Sequence, residues 1–155
     1  MAIHTLSSNL IIKGDLGRVW SFFSDPRNLA TITPKEMGFE VLSALPPEIH
    51  GGMMIEYRVR PLAGIALTWL TEITHLEIGR YFVDEQRLGP YALWHHEHHF
   101  RDLGNGSVEM KDLVTYVPPW GFLGEMVHPL LIRPALEKIF TFRKKAILGV
   151  FGEAI

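Results

Sequence analysis

Residues 94–116 read WHHEHHFRDLGNGSVEMKDLVTY, and this stretch decides the fold. Gly104-Asn105-Gly106 is a strong hairpin signal, because Gly and Asn accept the positive φ that a tight turn demands. The flanking runs, Trp94 to Phe100 and Val108 to Tyr116, are the strands it joins. Successive side chains of a strand point to opposite faces. Trp94, His96, His98 and Phe100 therefore share one face, and His95, Glu97 and His99 share the other. Trp94 and Phe100 are large and apolar, so they belong inside and carry His96 and His98 inward with them. The same parity turns Asp112 inward between Met110, Val114 and Tyr116.

Upstream, period-two patterns continue. Phe82, Asp84, Gln86 and Leu88 form one inward set, closed by a turn at Gly89-Pro90. Leu67, Trp69, Thr71 and Ile73 form another. Ile55, Tyr57 and Val59 alternate with Glu56, Arg58 and Arg60. Pro46-Pro47 and Gly51-Gly52 bracket the turn before them, and Phe39, Val41 and Leu42 suggest a strand ahead of it. A first strand is expected from about Ile3 to Lys13. Between it and Phe39, Asp15 is a good N-cap for a helix whose apolar face is Leu16, Val19, Trp20 and Phe23. Asp25-Pro26 stops that helix and starts a second, short one, which Thr33-Pro34 ends.

Downstream, a helical pattern runs from about Phe122 to Val150. Pro118-Pro119 precedes it, and Pro129 and Pro134 interrupt it, which predicts a kinked start and a continuous helix after Pro134. Ile132, Ala135, Ile139, Ala146 and Val150 fall on one face; Glu137, Thr141, Lys144 and Lys145 fall opposite. Arg143 lies within the apolar stripe, between Ile139 and Ala146.

The order is one strand, two short helices, six consecutive strands and a long helix, an α+β arrangement. About seven strands, mostly antiparallel, are too many to stay flat. The sheet must curl, and only the last helix is long enough to cover its apolar face. A sheet wrapped around a helix leaves space where side chains do not fill the curve, and small molecules commonly occupy such spaces.

Composition sets the outer limits. The chain has 155 residues, 47% hydrophobic and 21% charged, which predicts one domain over residues 1–155. The net charge is −2 and there is no basic stripe, which argues against nucleic acid as a partner. There is no cysteine, so disulfides, thiolate metal sites and thiol nucleophiles are excluded. Lack of cysteine fits a reducing cytoplasm. The first residues do not read as a signal peptide, and no apolar run is long enough to span a bilayer. The oligomeric state is left open.

The chain resembles the START/polyketide-cyclase-like (SRPBCC) ligand-binding superfamily, in particular an uncharacterised bacterial subgroup. The residues that carry the likeness are Phe82-Val83-Asp84-Glu85-Gln86, Gly89-Pro90-Tyr91, Trp94 to Phe100, Asp112-Leu113-Val114-Thr115-Tyr116 and Phe140-Thr141-Phe142-Arg143. The resemblance implies the helix-grip fold and a pocket; it implies no particular reaction. It also implies a portal near Pro118-Pro119-Trp120-Gly121 and Phe122-Leu123-Gly124, which reads as a mobile apolar entrance.

The expected site is the set of polar residues that parity aims inward: Asp84, Gln86, His96, His98 and Asp112, with Arg143 as their counter-ion from the helix. Buried polar groups without partners cost about 1–3 kcal/mol, so this set is expected to bond internally or to reach a ligand. Tyr57, Trp69, Tyr116 and Trp120 are the aromatic candidates for the pocket wall, and core packing is their plainer role. His-x-His on a strand sets two imidazoles on one side, but His96-Glu97-His98-His99-Phe100 lacks the helical zinc-protease spacing, and the expectation is no metal and no cofactor. Three functions stay in view. One is binding or carriage of a small, mainly hydrophobic molecule. The second is a cyclase/dehydratase-type enzyme with His96 or His98 as general base. The third is an interaction module without a ligand.

Overall fold

The computed structural model describes residues 2–60 and 65–154. Its central hairpin joins β6 (Leu93–Gly104) to β7 (Ser107–Val117). Gly104, Asn105 and Gly106 reverse the chain with φ of +75°, +54° and +70°. Across the hairpin, Trp94 faces Tyr116, His98 faces Asp112 and Phe100 faces Met110. The parity is as expected. Trp94, His96, His98 and Phe100 are buried, and His95, Glu97 and His99 sit half-buried on the outer face.

The remaining strands are β1 (His4–Lys13), β2 (Glu40–Val41), β3 (Met54–Val59), β4 (Leu67–Glu77) and β5 (Tyr81–Leu88). All seven pair antiparallel in one sheet of order β1-β7-β6-β5-β4-β3-β2. The first strand thus joins the last, and the chain crosses to the far edge through α1 (Leu16–Phe23) and two 3₁₀ turns, Pro26–Ile32 and Lys35–Met37. Asp15 caps α1 by accepting from the Arg18 N–H at 2.9 Å. Asp25 caps the Pro26–Ile32 turn in the same way, through the Arg27 N–H at 3.0 Å. The expected second helix is therefore a 3₁₀ turn, a tighter form suited to short pieces.

Two irregularities between β4 and β5 reset the side-chain parity. Thr71 pairs with Gln86 but Leu70 pairs with Leu88, so Arg87 is an extra residue. That is why Leu88, expected inward, is exposed. A second shift follows Ile73, after which Leu76 packs on the core and His75 faces out.

The C-terminal segment is α2 (Phe122–Val127), a π turn (His128–Ile132) and α3 (Arg133–Phe151). Pro129 and Pro134 each lack an N–H, and the chain accommodates them with a wider turn in which the Arg133 N–H reaches the His128 carbonyl. The buried line of α3 is Leu136, Arg143, Ile147 and Phe151. Ala135, Ile139, Ala146 and Val150 flank it, half-buried. The expected stripe is thus turned by about one residue: its members border the buried line, and Ala146 and Val150 still pack against the larger core cluster. Arg143 is on the buried line in either phase.

The core has two apolar clusters. The larger includes Ile12, Val19, Ile55, Met110 and Ile147; the smaller is Trp94, Val114, Tyr116 and Leu136. Ile147 is fully buried beneath α3. Ile147→Ala is expected to cost about 2–5 kcal/mol in urea denaturation, while Lys144→Ala on the outer face shifts stability by about 0.5 kcal/mol or less. Equal losses in the two variants would contradict this packing of α3.

Candidate ligand-binding site

Three neighbouring strands and α3 bring charged and imidazole side chains together between the apolar clusters. Register places Asp84 opposite His96 and His98 opposite Asp112. His98 Nε2 lies 2.8 Å from Asp84 Oδ2, and His98 Nδ1 lies 2.8 Å from Asp112 Oδ1. The second approach is close but misaligned for a hydrogen bond. His96 Nε2 is 3.2 Å from the same Asp112 oxygen, and His96 Nδ1 is 3.7 Å from Asp84 Oδ2. From α3, Arg143 Nε stands 3.6 Å from Asp112 Oδ2. The two imidazoles lie close, with centroids 3.8 Å apart, and His98 stacks on Phe82 at 4.3 Å.

Burial opposes charge on every member, and the partners overrule it unequally. For Asp112, burial raises the pKa, but the Arg143 charge, the hydrogen bond with His96 and the nearby His98 hold it well below the usual carboxylate value. For Asp84, burial is outweighed by the His98 bond and by the charges around it, and the carboxyl is again lowered. His98 loses solvent, yet its contacts with Asp112 and Asp84 raise it above an ordinary imidazole. Burial lowers His96, the positive His98 lowers it further, and the two acids do not compensate. The surroundings thus favour ionised aspartates and a proton on His98, and favour a neutral His96.

Beside this cluster is a cavity of about 180 Å³. Asp84, His96, His98 and Arg143 form its polar end. Its other walls are mainly apolar, with Ser24, Asp25, Asn28, Thr33 and Thr71 interspersed. Phe22, Phe23, Leu29 and Ile32 come from α1 and the first 3₁₀ turn; Ile55, Tyr57 and Val59 from β3; Trp69 and Ile73 from β4; Leu136, Ile139 and Phe140 from α3. Burial, and then the Asp84 charge, raise the Tyr57 phenol far above its usual value, so it stays protonated. A dry cavity of about 150 Å³ admits benzene, so this one has room for a ring.

The expected site residues separate into three groups. Tyr57, Trp69, Asp84, His96, His98 and Arg143 border the cavity, and Asp112 stands behind the histidines. Gln86 does not join them: its amide folds onto the turn, donating to the Tyr91 carbonyl at 2.7 Å and accepting from the Tyr91 N–H at 3.2 Å. Tyr116 is fully buried in the smaller cluster with its hydroxyl 2.8 Å from His128 Nε2, away from the cavity wall. Trp120 is 70% exposed and borders nothing inside.

The expected portal is likewise not where the cavity lies. No residue from Pro118 to Gly124 lines it. That segment is pinned: a Cβ on Gly124 would collide with the Pro119 carbonyl oxygen, and the next residue, Glu125, accepts from the Ala2 N–H at 2.7 Å and approaches His4 Nε2 at 2.9 Å. Its large apolar residues, with Met126, Leu130 and Leu131, form an exposed ridge instead. What sequence reading missed was the wall from Phe22 to Ile32. Its signals were Phe23 on the apolar face of the first helix and the i, i+3 pair Leu29 and Ile32.

No protein-family model matches the sequence, and no curated protein matches it. Solved structures match its fold. A START superfamily protein from Mycobacterium smegmatis superposes with a TM-score of 0.70 at 13% identity, over 95% of this chain and 99% of that one. The Zhui aromatase/cyclase from Streptomyces sp. R1128 gives 0.68 at 16% identity, over 96% of each chain. A norcoclaurine synthase point mutant from Thalictrum flavum, solved with a transition-state analogue, gives 0.65 at 14% identity, again over 96% of each. The chain therefore has the START-like, helix-grip fold of the SRPBCC type. No helix among the described residues is long and apolar enough to cross a membrane.

Removing one partner from a buried charged group leaves the others uncompensated. Arg143→Met is expected to cost about 3–5 kcal/mol. The double variant Asp112→Asn/Arg143→Met is expected to lose clearly less than the sum of the single losses, because the two share one interaction. Additive losses in chemical denaturation would show that the pair is not coupled.

Proposed function

We propose that this protein binds and carries a small, mainly hydrophobic molecule with one polar group, held between the sheet and α3. The observation that carries this reading is the cavity itself: mainly apolar walls, with a buried cluster of Asp84, His96, His98 and Arg143 at one place on them. An apolar ring fits the walls, and an oxygen or nitrogen fits the polar end. Asp112 supports that end from behind. Neighbours of the same fold named as a cyclase and a synthase support a small-molecule occupant, although at 16% and 14% identity their chemistry does not transfer. The chain acts as one domain, and its lack of cysteine suits work in the reducing cytoplasm.

One observation favours a second reading, a cyclase/dehydratase-type enzyme. His96 borders the cavity and is held neutral, as a general base must be. His98, clasped between two carboxylates, is the poorer base.

Native mass spectrometry of protein purified from its host is expected to reveal a co-purifying small molecule. One- and two-ring phenols and aromatic acids are expected to raise the melting temperature in proportion to their occupancy. Ile139 lines the cavity from α3, so Ile139→Phe fills part of it. That variant should stay folded and bind such probes about tenfold more weakly or worse, roughly the effect of losing 1.4 kcal/mol. No co-purifying molecule, no stabilising probe and no effect of Ile139→Phe would together defeat the binding reading.

A further inference from the structure

Asp84, His96 and His98 each offer a donor atom, and the three atoms lie within 4.8 Å of one another at the cavity wall. Asp84 Oδ2 is 2.8 Å from His98 Nε2 and 3.7 Å from His96 Nδ1. Donors bound at 2.0–2.1 Å in a tetrahedral zinc site stand about 3.3 Å apart, midway between those spacings. The other nitrogen of each ring, His96 Nε2 and His98 Nδ1, approaches one and the same oxygen, Asp112 Oδ1, at 3.2 and 2.8 Å. Metal-bound histidines almost always give their second N–H to such a carboxylate, which fixes the ring and strengthens the donor. Arg143 stands by the other oxygen of that carboxylate at 3.6 Å.

We infer that Asp84, His96 and His98 form a site for a divalent first-row transition metal, with Asp112 behind both histidines and any second proton on His98 released to solvent as the ion binds. Strand parity alone supplied two imidazoles on one side, which is common without a metal. The structure adds a third donor on the neighbouring strand and a carboxylate that is hydrogen-bonded to His96 Nε2 and lies 2.8 Å from His98 Nδ1. Two nitrogens and one carboxylate oxygen suit zinc, iron(II), cobalt or nickel; magnesium and calcium prefer all-oxygen cages. The three donors border the cavity and Asp112 does not, so the coordination positions left open face the cavity. They suit an oxygen donor from a molecule bound there. The metal site itself stands whether or not an organic ligand fills the space.

The test uses the full chain, stripped with a chelator and free of added organic ligand. Titration with zinc followed by calorimetry, and with cobalt followed by visible absorption, is expected to show one equivalent bound and a rise in melting temperature. Asp84→Asn and His96→Gln are each expected to weaken binding about a hundredfold or more, and Asp112→Asn by about 10–100-fold. His95 and His99 pair with Glu85 and Glu97 on the outer face, so the double variant His95→Gln/His99→Gln should bind like the parent protein. Circular dichroism monitors folding; if His96→Gln does not fold, Asp84→Asn, which keeps the side-chain shape, decides. Failure to bind one equivalent of either metal would overturn the inference. So would binding that survives Asp84→Asn but is lost in the outer-face variant.

Discussion

The structure depends on one buried carboxylate. Asp112 is 3% exposed in the middle of the sheet, where an isolated ion is too costly to keep. It remains ionised because Arg143 from α3 and both inner histidines from β6 meet it. Each partner sits on a different part of the chain from Asp112. The charge can therefore be satisfied only after β6, β7 and α3 have taken their final positions. An apolar helix face tolerates a small rotation on a sheet, because dispersion contacts are many and weak. A guanidinium 3.6 Å from one particular carboxylate tolerates less, and it adds to the apolar contacts of Leu136, Ile147 and Phe151 in favouring this phase of α3.

The cavity follows from the same arrangement. Between the two apolar clusters the strands carry Asp84, His96 and His98 where longer apolar side chains would have filled the curve of the sheet. The parity shifts in β4 and β5 bend the sheet around α3. On the open side, α1 and the 3₁₀ turn lay Phe22, Leu29 and Ile32 over the gap without closing it. The result is a space with mainly apolar walls and an end where the carboxylates, imidazoles and Arg143 guanidinium face one another. Such an end can exchange its internal contacts for contacts with an occupant at little cost in unsatisfied polar groups.

Most of this was legible in the sequence, for a definite reason. Parity is a strict rule along an unbroken strand. Between Trp94 and Phe100 nothing interrupts it, so the inward direction of His96 and His98 could be read directly, and the same holds for Asp112. Arg143 was legible because a charge at an apolar phase of a helix is tolerated only beside a counter-charge. Parity fails at bulges, which carry no sequence mark as clear as a proline, and Leu88 was misplaced by the extra residue Arg87. Gln86 lies on the near side of that bulge, but its long amide reaches the Tyr91 backbone instead of the inner cluster. Trp120 and the expected portal were misplaced on different grounds. An apolar, proline-rich segment marks a loop, but it does not say which side of the fold the loop covers.

The run His95-His96-Glu97-His98-His99 shows how little composition says about chemistry before geometry sorts it. Four histidines share one strand, and every one of them meets a carboxylate. His95 and His99 pair with glutamates at the rim of solvent, where two unit charges 4 Å apart gain about 1 kcal/mol and exposed pairs contribute little. His98 meets two aspartates in the interior, where unit charges at that separation are worth about 4 kcal/mol at an effective dielectric of 20, while His96 is held by its hydrogen bond with Asp112. The shorter aspartate also holds its carboxylate closer to the backbone and restricts where a partner can stand. Inside, then, charge, spacing and protonation state constrain one another, while the outer pairs, which share Glu85 and Glu97, stay open to solvent. A ligand or a metal ion is selected by constraints of that kind, so the two inner histidines, and not the four together, form the chemical unit.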